Sequence, residues 1–244
     1  MIKKNTVEVC YSPIMYDLFK NDNAITVVVD VLRATTSICT AFHNGVKKLY
    51  PVENETIAAE MKKQGYLVAA ERNGIALDFA DFGNSPFNFT KDNVENKELV
   101  YTTTNGTKSI MLAKDSYKVV IGAFVNLSAL TQWLVEQQKD VIILCAGWKD
   151  KYNIEDSVGA GAISERLIKT ERFITNCDSA ITAIDMWKHW EFALSDLINL
   201  SAQKGRLLKI GMDDCIDYCL SIDETDVVPI LENNYLIDAK KCKK

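Results

Sequence analysis

Polar residues able to do chemistry gather in four segments of the chain. The first, Asp30-Val31-Leu32-Arg33-Ala34-Thr35-Thr36, places a carboxylate and a guanidinium directly after an apolar run. Such a carboxylate binds a metal or orients water, and an Arg fork takes phosphate or carboxylate oxygens. The competing structural reading is an Asp30–Arg33 ion pair that fixes the turn; a carboxylate at a strand end favours the functional one. The second segment is Glu71-Arg72-Asn73-Gly74 followed by Asp81-Phe82-Gly83-Asn84-Ser85-Pro86. It is a stretch of about fifteen residues without periodicity, and loops of that length inside compact domains are usually functional or disordered. Its aromatic and aliphatic residues argue against disorder, although Asn84-Ser85-Pro86 alone marks nothing more than a turn. The third, Thr102-Thr103-Thr104-Asn105-Gly106-Thr107, is rich in hydroxyls and holds a Gly that lets backbone approach a ligand closely. The fourth, Asn153-Ile154-Glu155-Asp156-Ser157-Val158-Gly159-Ala160-Gly161, opens a helical pattern with adjacent carboxylates that suit a hard cation such as Mg²⁺. On spacing alone the structural reading is preferred there, because acidic residues in a first turn complement the helix dipole and Asn153 with Asp156 resembles a cap.

Two of these turns are alike. Leu32-Arg33-Ala34-Thr35-Thr36-Ser37-Ile38 and Thr104-Asn105-Gly106-Thr107-Lys108-Ser109-Ile110 each run from a strand end into a Thr/Ser-rich helix start. At the carboxyl ends of strands in an open α/β sheet, such turns surround an anion with amides and hydroxyls; equally, Thr and Ser there cap the helices. Other chemistries are excluded by what is missing. The two histidines, His43 and His189, lie at a helix end and between tryptophans, and there is no phosphate-loop signature, no H-E-x-x-H and no well-formed G-x-G-x-x-G after a strand. What survives is metal-assisted chemistry on a small anion.

The elements that must position these segments follow from apolar periodicity. β-branched runs at 25–29, 48–52, 66–70, 98–102, 118–122 and 141–145 alternate with helical patterns at 34–44, 55–64, 106–113, 127–138, 154–169 and 179–200. Continuous apolar strands covered by helices on both faces predict an α/β fold: a three-layer α/β/α sandwich with a largely parallel or mixed central sheet. With 244 residues and no Gly/Ser-rich linker, residues 1–244 read as one domain; 176–244 form a mostly helical subregion with a short strand at 227–231. The formal charge of -5 gives no field to attract nucleic acid or an anionic membrane. No signal-peptide pattern and no apolar run of about 20 residues is present, so a cytoplasmic protein is expected. Seven cysteines scattered along the chain read as reduced and mostly buried, with Cys215 and Cys219 as structural filler. A homodimer is left open.

At the same four segments the sequence resembles the 2-phosphosulfolactate phosphatase family, the Mg²⁺-dependent phosphatases of coenzyme M biosynthesis and their bacterial relatives. The resemblance rests on Val29-Asp30-Val31-Leu32-Arg33-Ala34-Thr35-Thr36, on Glu71-Arg72 with Asp81-Phe82-Gly83-Asn84-Ser85-Pro86, on Thr103-Thr104-Asn105-Gly106-Thr107, and on Ala146-Gly147 leading to Glu155-Asp156. It departs at Phe79-Ala80, where the family has Gly-Phe, and Lys204-Gly205-Arg206-Leu207-Leu208 is similar to the C-terminal pattern in a looser form. The resemblance raises the functional reading of Glu155 and Asp156 above the cap. It implies hydrolysis of 2-phosphosulfolactate, or of a related 2-phospho acid, to the 2-hydroxy acid and phosphate. Asp30, Asp81 and Asp156 are then the expected catalytic groups, and Asp30, Glu71, Asp81, Glu155 and Asp156 the expected Mg²⁺ carboxylates. Arg33, Thr35, Thr36, Arg72, Asn84, Ser85, Thr104, Asn105, Gly106 and Thr107 would bind a small phosphorylated substrate. The alternative is a binding protein without turnover that holds a phosphorylated or sulfonated metabolite in the same turns.

Overall fold

A computed structural model describes residues 4–242. In chain order the strands are β1 (Asn5–Cys10), β2 (Ile25–Val29), β3 (Lys48–Pro51), β4 (Leu67–Arg72), β5 (Ile75–Ala76), β6 (Glu98–Thr102), β7 (Lys118–Gly122), β8 (Val141–Cys145), β9 (Phe173–Ile174), β10 (Pro229–Glu232) and β11 (Tyr235–Asp238). The helices are α1 (Ala34–His43), α2 (Glu55–Lys63), α3 (Lys91–Val94), α4 (Gly106–Leu112), α5 (Leu127–Gln137), α6 (Ile154–Lys169), α7 (Asp178–Trp190), α8 (Leu194–Asn199), α9 (Ala202–Lys209) and α10 (Ile216–Leu220). The result is a mixed α/β protein with one large mixed sheet flanked by helices, in the order β5-β4-β6-β3-β11-β10-β7-β2-β8-β1-β9.

Two parallel blocks, β4-β6-β3 and β7-β2-β8-β1-β9, are joined by the β10–β11 hairpin. The pairings β7–β10, β10–β11 and β11–β3 are antiparallel, so the blocks run formally opposite to one another. Twist undoes this. Between β2 and β6 lie β7, β10, β11 and β3; at roughly 20–25° per step the intervening twist turns β6 by roughly 100–125° relative to β2. A flat sheet would also hold the two strands about 24 Å apart. The turn after β6 nevertheless touches the turn after β2, since a methyl built on Gly106 would sit 2.9 Å from Asp30 Oδ2. The sheet is therefore rolled, with α1 and α4 inside the roll.

Alternation along β2 shows how the roll is packed. Val27 and Val29 face a core shared with Leu130 of α5, Ile163 of α6 and Ala183 of α7. Val28 faces a second core that joins Ile38 of α1, Leu49 of β3, Leu99 and Tyr101 of β6, and Ile110 of α4. A smaller cluster of Val68, Ala70 and Val100 lies under Ala58 of α2. Because β2 is buried on both faces, its Ile-Thr-Val-Val-Val run carries no polar alternation.

The helix expected over 179–200 is two helices, α7 and α8, separated by a turn that leaves Phe192 exposed while Leu194, Leu197 and Ile198 return to the first core. The expected 227–231 strand is β10, shifted toward the C-terminus and completed by β11. Among the described residues no helix is long and apolar enough to cross a membrane. Cys10, Cys39, Cys145, Cys215 and Cys219 are buried free thiols and Cys177 is half-buried; the side chain of Cys242 lies outside the described residues.

Candidate active site

The carboxyl ends of β2, β4, β6 and β8 converge inside the roll, and each delivers one of the four polar segments. Asp30 follows β2 and is buried. Loss of water pushes its carboxyl well above the usual range, and Asp156 and then Glu71 push it further, with the Ala34 amide and Arg33 opposing. Its backbone is held by Thr35, whose hydroxyl accepts from the Asp30 amide at 3.1 Å and whose amide donates to the Asp30 carbonyl at 3.0 Å. The Thr36 hydroxyl donates to the Val31 carbonyl at 3.0 Å. Both hydroxyls thus serve their own turn, as the capping reading expects.

Asp156 and Glu155 open α6 behind β8. Asp156 is fully buried and ties three strands of chain together. Its Oδ1 accepts from the Val31 amide at 2.8 Å, and its Oδ2 accepts from the Gly147 amide at 3.0 Å and from Asn153 Nδ2 at 2.8 Å. Asn153 Oδ1 in turn accepts from the Asp156 amide, so the helix is capped and the cap and the cluster are one structure. Burial, then the Glu155 charge, lifts Asp156 to about 7. Glu155 is lifted to about 7 by burial, with Asp30 adding to the effect and Arg206 opposing it. Its Oε2 is buried and, among the described residues, has no hydrogen-bond partner. An unpaired buried carboxylate oxygen costs several kcal/mol when ionised, unless a cation or donor meets it.

Glu71 and Arg72 end β4. Glu71 Oε1 accepts from the Thr104 amide at 2.7 Å, and Oε2 accepts from the Gly74 amide at 2.6 Å and the Thr104 hydroxyl at 3.1 Å. It therefore clamps the 73–76 turn to the turn after β6. Arg72 donates to the Thr102 hydroxyl at 3.0 Å and to the Glu71 carbonyl at 2.6 Å, bracing β4 against β6. Arg33 is 3% exposed, and among the described residues its guanidinium makes a single hydrogen bond, from Nη2 to the Gly74 carbonyl at 2.9 Å, beside Asp30. The rest of its fork remains available to an anion.

Gly106 starts α4 where no side chain fits: a methyl there would lie 2.6 Å from Ala34 Cβ as well as 2.9 Å from Asp30 Oδ2. The Thr107 hydroxyl accepts from the Thr103 amide at 3.0 Å and donates to the Thr103 carbonyl at 3.2 Å, again a local cap. Asn105 Oδ1 accepts from the Lys149 amide at 3.0 Å, tying this turn to the loop after β8. Asn84 supports the site from behind, its carbonyl accepting from Ser37 Oγ at 3.1 Å and its Oδ1 accepting from the Tyr101 hydroxyl. Ser85 Oγ is buried without a partner among the described residues.

Asp81 is placed apart from this group. Its Oδ2 accepts from the Val68 amide at 2.9 Å, near the start of β4 rather than at the carboxyl end that holds Glu71, and its Oδ1 pairs with Lys62 at 2.5 Å. Burial raises its pKa, but Lys62 and the Val68 amide outweigh that and hold the carboxyl below the usual range. The structure adds residues that motif reading did not reach. Arg206 of α9 faces Glu155 electrostatically, lies over the Trp148 ring at 4.4 Å and donates from Nε to Gln203 Oε1 at 2.7 Å. Gln203 Nε2 donates to the Leu32 carbonyl at 3.1 Å, which fixes α9 to the turn carrying Asp30. Arg206 had a faint signal in the Lys204–Leu208 pattern; Trp148 had none.

Among the described residues no three acidic, His or Cys side chains come close enough to cage a metal ion by themselves. Mg²⁺ does not need such a cage, being held by one or two carboxylates with substrate phosphates and water. The oxygens of Asp156 and Glu71 are occupied by backbone donors, which leaves Glu155 and Asp30 as the carboxylates that fit that demand.

The family model described as 2-phosphosulpholactate phosphatase matches residues 14–234. Among relatives named probable 2-phosphosulfolactate phosphatase, one from Caldanaerobacter subterraneus subsp. tengcongensis is 34% identical over 211 residues, covering 85% of this chain and 87% of its own. One from Clostridium novyi is 35% identical over 217 residues, covering 86% and 90%, and one from Thermotoga maritima is 35% identical over 211 residues, covering 86% and 90%. All four polar segments fall inside the matched region, and the chain belongs to the 2-phosphosulfolactate phosphatase family.

Proposed function

We propose that this protein is a Mg²⁺-dependent phosphatase that transfers the phosphoryl group of 2-phosphosulfolactate to water, releasing the sulfonated 2-hydroxy acid and phosphate. The observation that carries the reading is the buried Glu155 Oε2, unpartnered among the described residues, in one carboxylate group with Asp30: burial lifts both, Asp30 adds to the rise of Glu155, and Asp156 and Glu71 add to that of Asp30. Such a pair is left short of positive charge, and Mg²⁺ is the hard, oxygen-seeking ion that suits it. The names of the relatives support the substrate.

Uncatalysed phosphomonoester hydrolysis is slow enough that the site must supply on the order of 20 kcal/mol or more. The transferring group passes through a loose transition state with charge on its equatorial oxygens, so positioning and charge do most of the work. Glu155 and Asp30 would hold Mg²⁺, which supplies charge neutralisation across those oxygens. Arg33, buried and with most of its fork free, binds the phosphate from the other side. Glu71 and Asp156 position: the first fixes the β4 and β6 turns, the second fixes Val31 and Gly147. Water adds to phosphorus, the bond from phosphorus to the 2-oxygen breaks, and that oxygen takes the proton. The free thiols and the lack of a membrane-spanning helix among the described residues support a cytoplasmic enzyme.

The test is phosphate release from a panel of 2-phospho acids, with and without Mg²⁺. Preferential, Mg²⁺-dependent release from 2-phosphosulfolactate is expected. Binding of the panel without release would leave only the binding protein.

A further inference from the structure

Arg206 reaches the site from a part of the chain remote in sequence from the four polar segments, and two contacts fix its guanidinium. Its carbon lies 4.4 Å from the centroid of Trp148, and its Nε donates to Gln203 Oε1 at 2.7 Å. Gln203 is buried and anchored to the Leu32 carbonyl of the turn after Asp30. Stacking on an aromatic face and one braced nitrogen leave Nη1 and Nη2 as a pre-oriented fork, and among the described residues neither makes a hydrogen bond. The fork and Glu155 attract one another without closing into an ion pair, while Glu155 Oε2 itself stays unpartnered. Lys149 Nζ also lies 5.5 Å from the centroid of Trp148. Arg33 sits at the buried base of the site beside Asp30, whereas Arg206 is half-buried at its rim.

We infer that Arg206, held on Trp148 and braced by Gln203, is the specificity residue that binds the distal acid group of the substrate. This rests on the phosphatase reading above. 2-Phosphosulfolactate carries its sulfonate on the carbon beyond the phosphorylated one, so a phosphate at Arg33 and the cation directs the sulfonate outward, toward the rim. A planar fork matches two sulfonate oxygens, and the indole excludes water from one side of the contact. Lys149 adds charge without defining geometry.

The test compares kcat/KM for 2-phosphosulfolactate and for 2-phospholactate, which lacks only the sulfonate, in the wild type, R206A and R206K. Charge-assisted hydrogen bonds of this kind are worth about tenfold to a hundredfold. R206A should reduce the preference for the sulfonated substrate by that factor, and R206K should recover part of it. Equal losses on both substrates, or no loss on either, overturn the inference. Calorimetric titration with 3-sulfolactate and with lactate gives an arm that does not depend on turnover: R206A should weaken sulfolactate binding and leave lactate binding unmoved. A wild type that hydrolyses neither substrate but binds sulfolactate through Arg206 would refute the phosphatase reading and keep the subsite. Wild-type sulfolactate binding that is absent, or that R206A does not change, refutes the subsite. W148L, which removes the platform and leaves the charge, should lower the sulfonate preference in the same direction.

Discussion

Gly106→Ala tests whether the turn after β6 is packed against Asp30. A methyl group at Gly106 would sit 2.6 Å from Ala34 Cβ and 2.9 Å from Asp30 Oδ2. Ala34 begins α1 and its Cβ is fixed to that backbone, so it cannot yield as a flexible side chain does, whereas the Asp30 carboxylate would have to shift. Overpacking of this kind costs roughly 1–3 kcal/mol, while exchanging Gly for Ala in a helix returns at most about 1 kcal/mol. The net expectation is a loss of about 1–2 kcal/mol, or roughly 2–8 °C in Tm for a chain of this size. Displacing Asp30 by a few tenths of an ångström to 1 Å should lower kcat/KM by about tenfold to a hundredfold. The double variant G106A/A34G separates the two contacts. It removes the Ala34 clash but keeps the approach to Asp30, so a stability coupling of about 1 kcal/mol is expected with activity still depressed. Thermal melting and phosphate-release kinetics on the two single variants and the double are sufficient. A G106A protein with unchanged or raised Tm and normal kcat/KM refutes the packing argument and removes this turn from the site.

Glu155 and Asp156 hold their protons to about pH 7 when folded, against ordinary values of 4.5 and 3.8. The unfolded chain therefore releases protons first as pH rises, and stability of the metal-free protein should fall between about pH 4 and 7 and then level off. On the proposed role of Mg²⁺ as a ligand of the ionised carboxylates, its addition should raise Tm more at pH 8 than at pH 5; a Mg²⁺ effect independent of pH would contradict this. Asp81→Asn disturbs a half-exposed pair with Lys62 rather than the cluster. It should cost less than about 1 kcal/mol and leave kcat/KM within about twofold, and a large kinetic loss would return Asp81 to the site.

The elements were legible where burial leaves a simple pattern. The bounds of β2, β6, β7, β8 and α6 follow directly from unbroken apolar strands and from the Asn153 cap. The rolled sheet was not legible, because β10 and β11 are joined to the flanking blocks through single residue pairs that leave no periodic mark. For the same reason spacing could not tell that Asp81 pairs with the opening of β4 while Glu71 occupies its end. The opposition between caps and cradles dissolved in the structure. Thr35, Thr36 and Thr107 do cap, and by capping they fix the backbone that carries Asp30 and Gly106. Arg206 was hidden because its role depends on Trp148, which lies in the loop after β8 and not on α9.

In the proposed site Glu155 and Asp30 hold the cation on which phosphoryl transfer depends. Initial rates of phosphate release from 2-phosphosulfolactate across a Mg²⁺ titration, for the wild type and Glu155→Gln, test it most directly. The wild type should be silent in EDTA and recover as Mg²⁺ is restored, and E155Q should need at least about tenfold more Mg²⁺ for half-activation, as expected for loss of one charged ligand. Full wild-type activity in EDTA after exhaustive dialysis, or an unshifted Mg²⁺ dependence in E155Q, would contradict it.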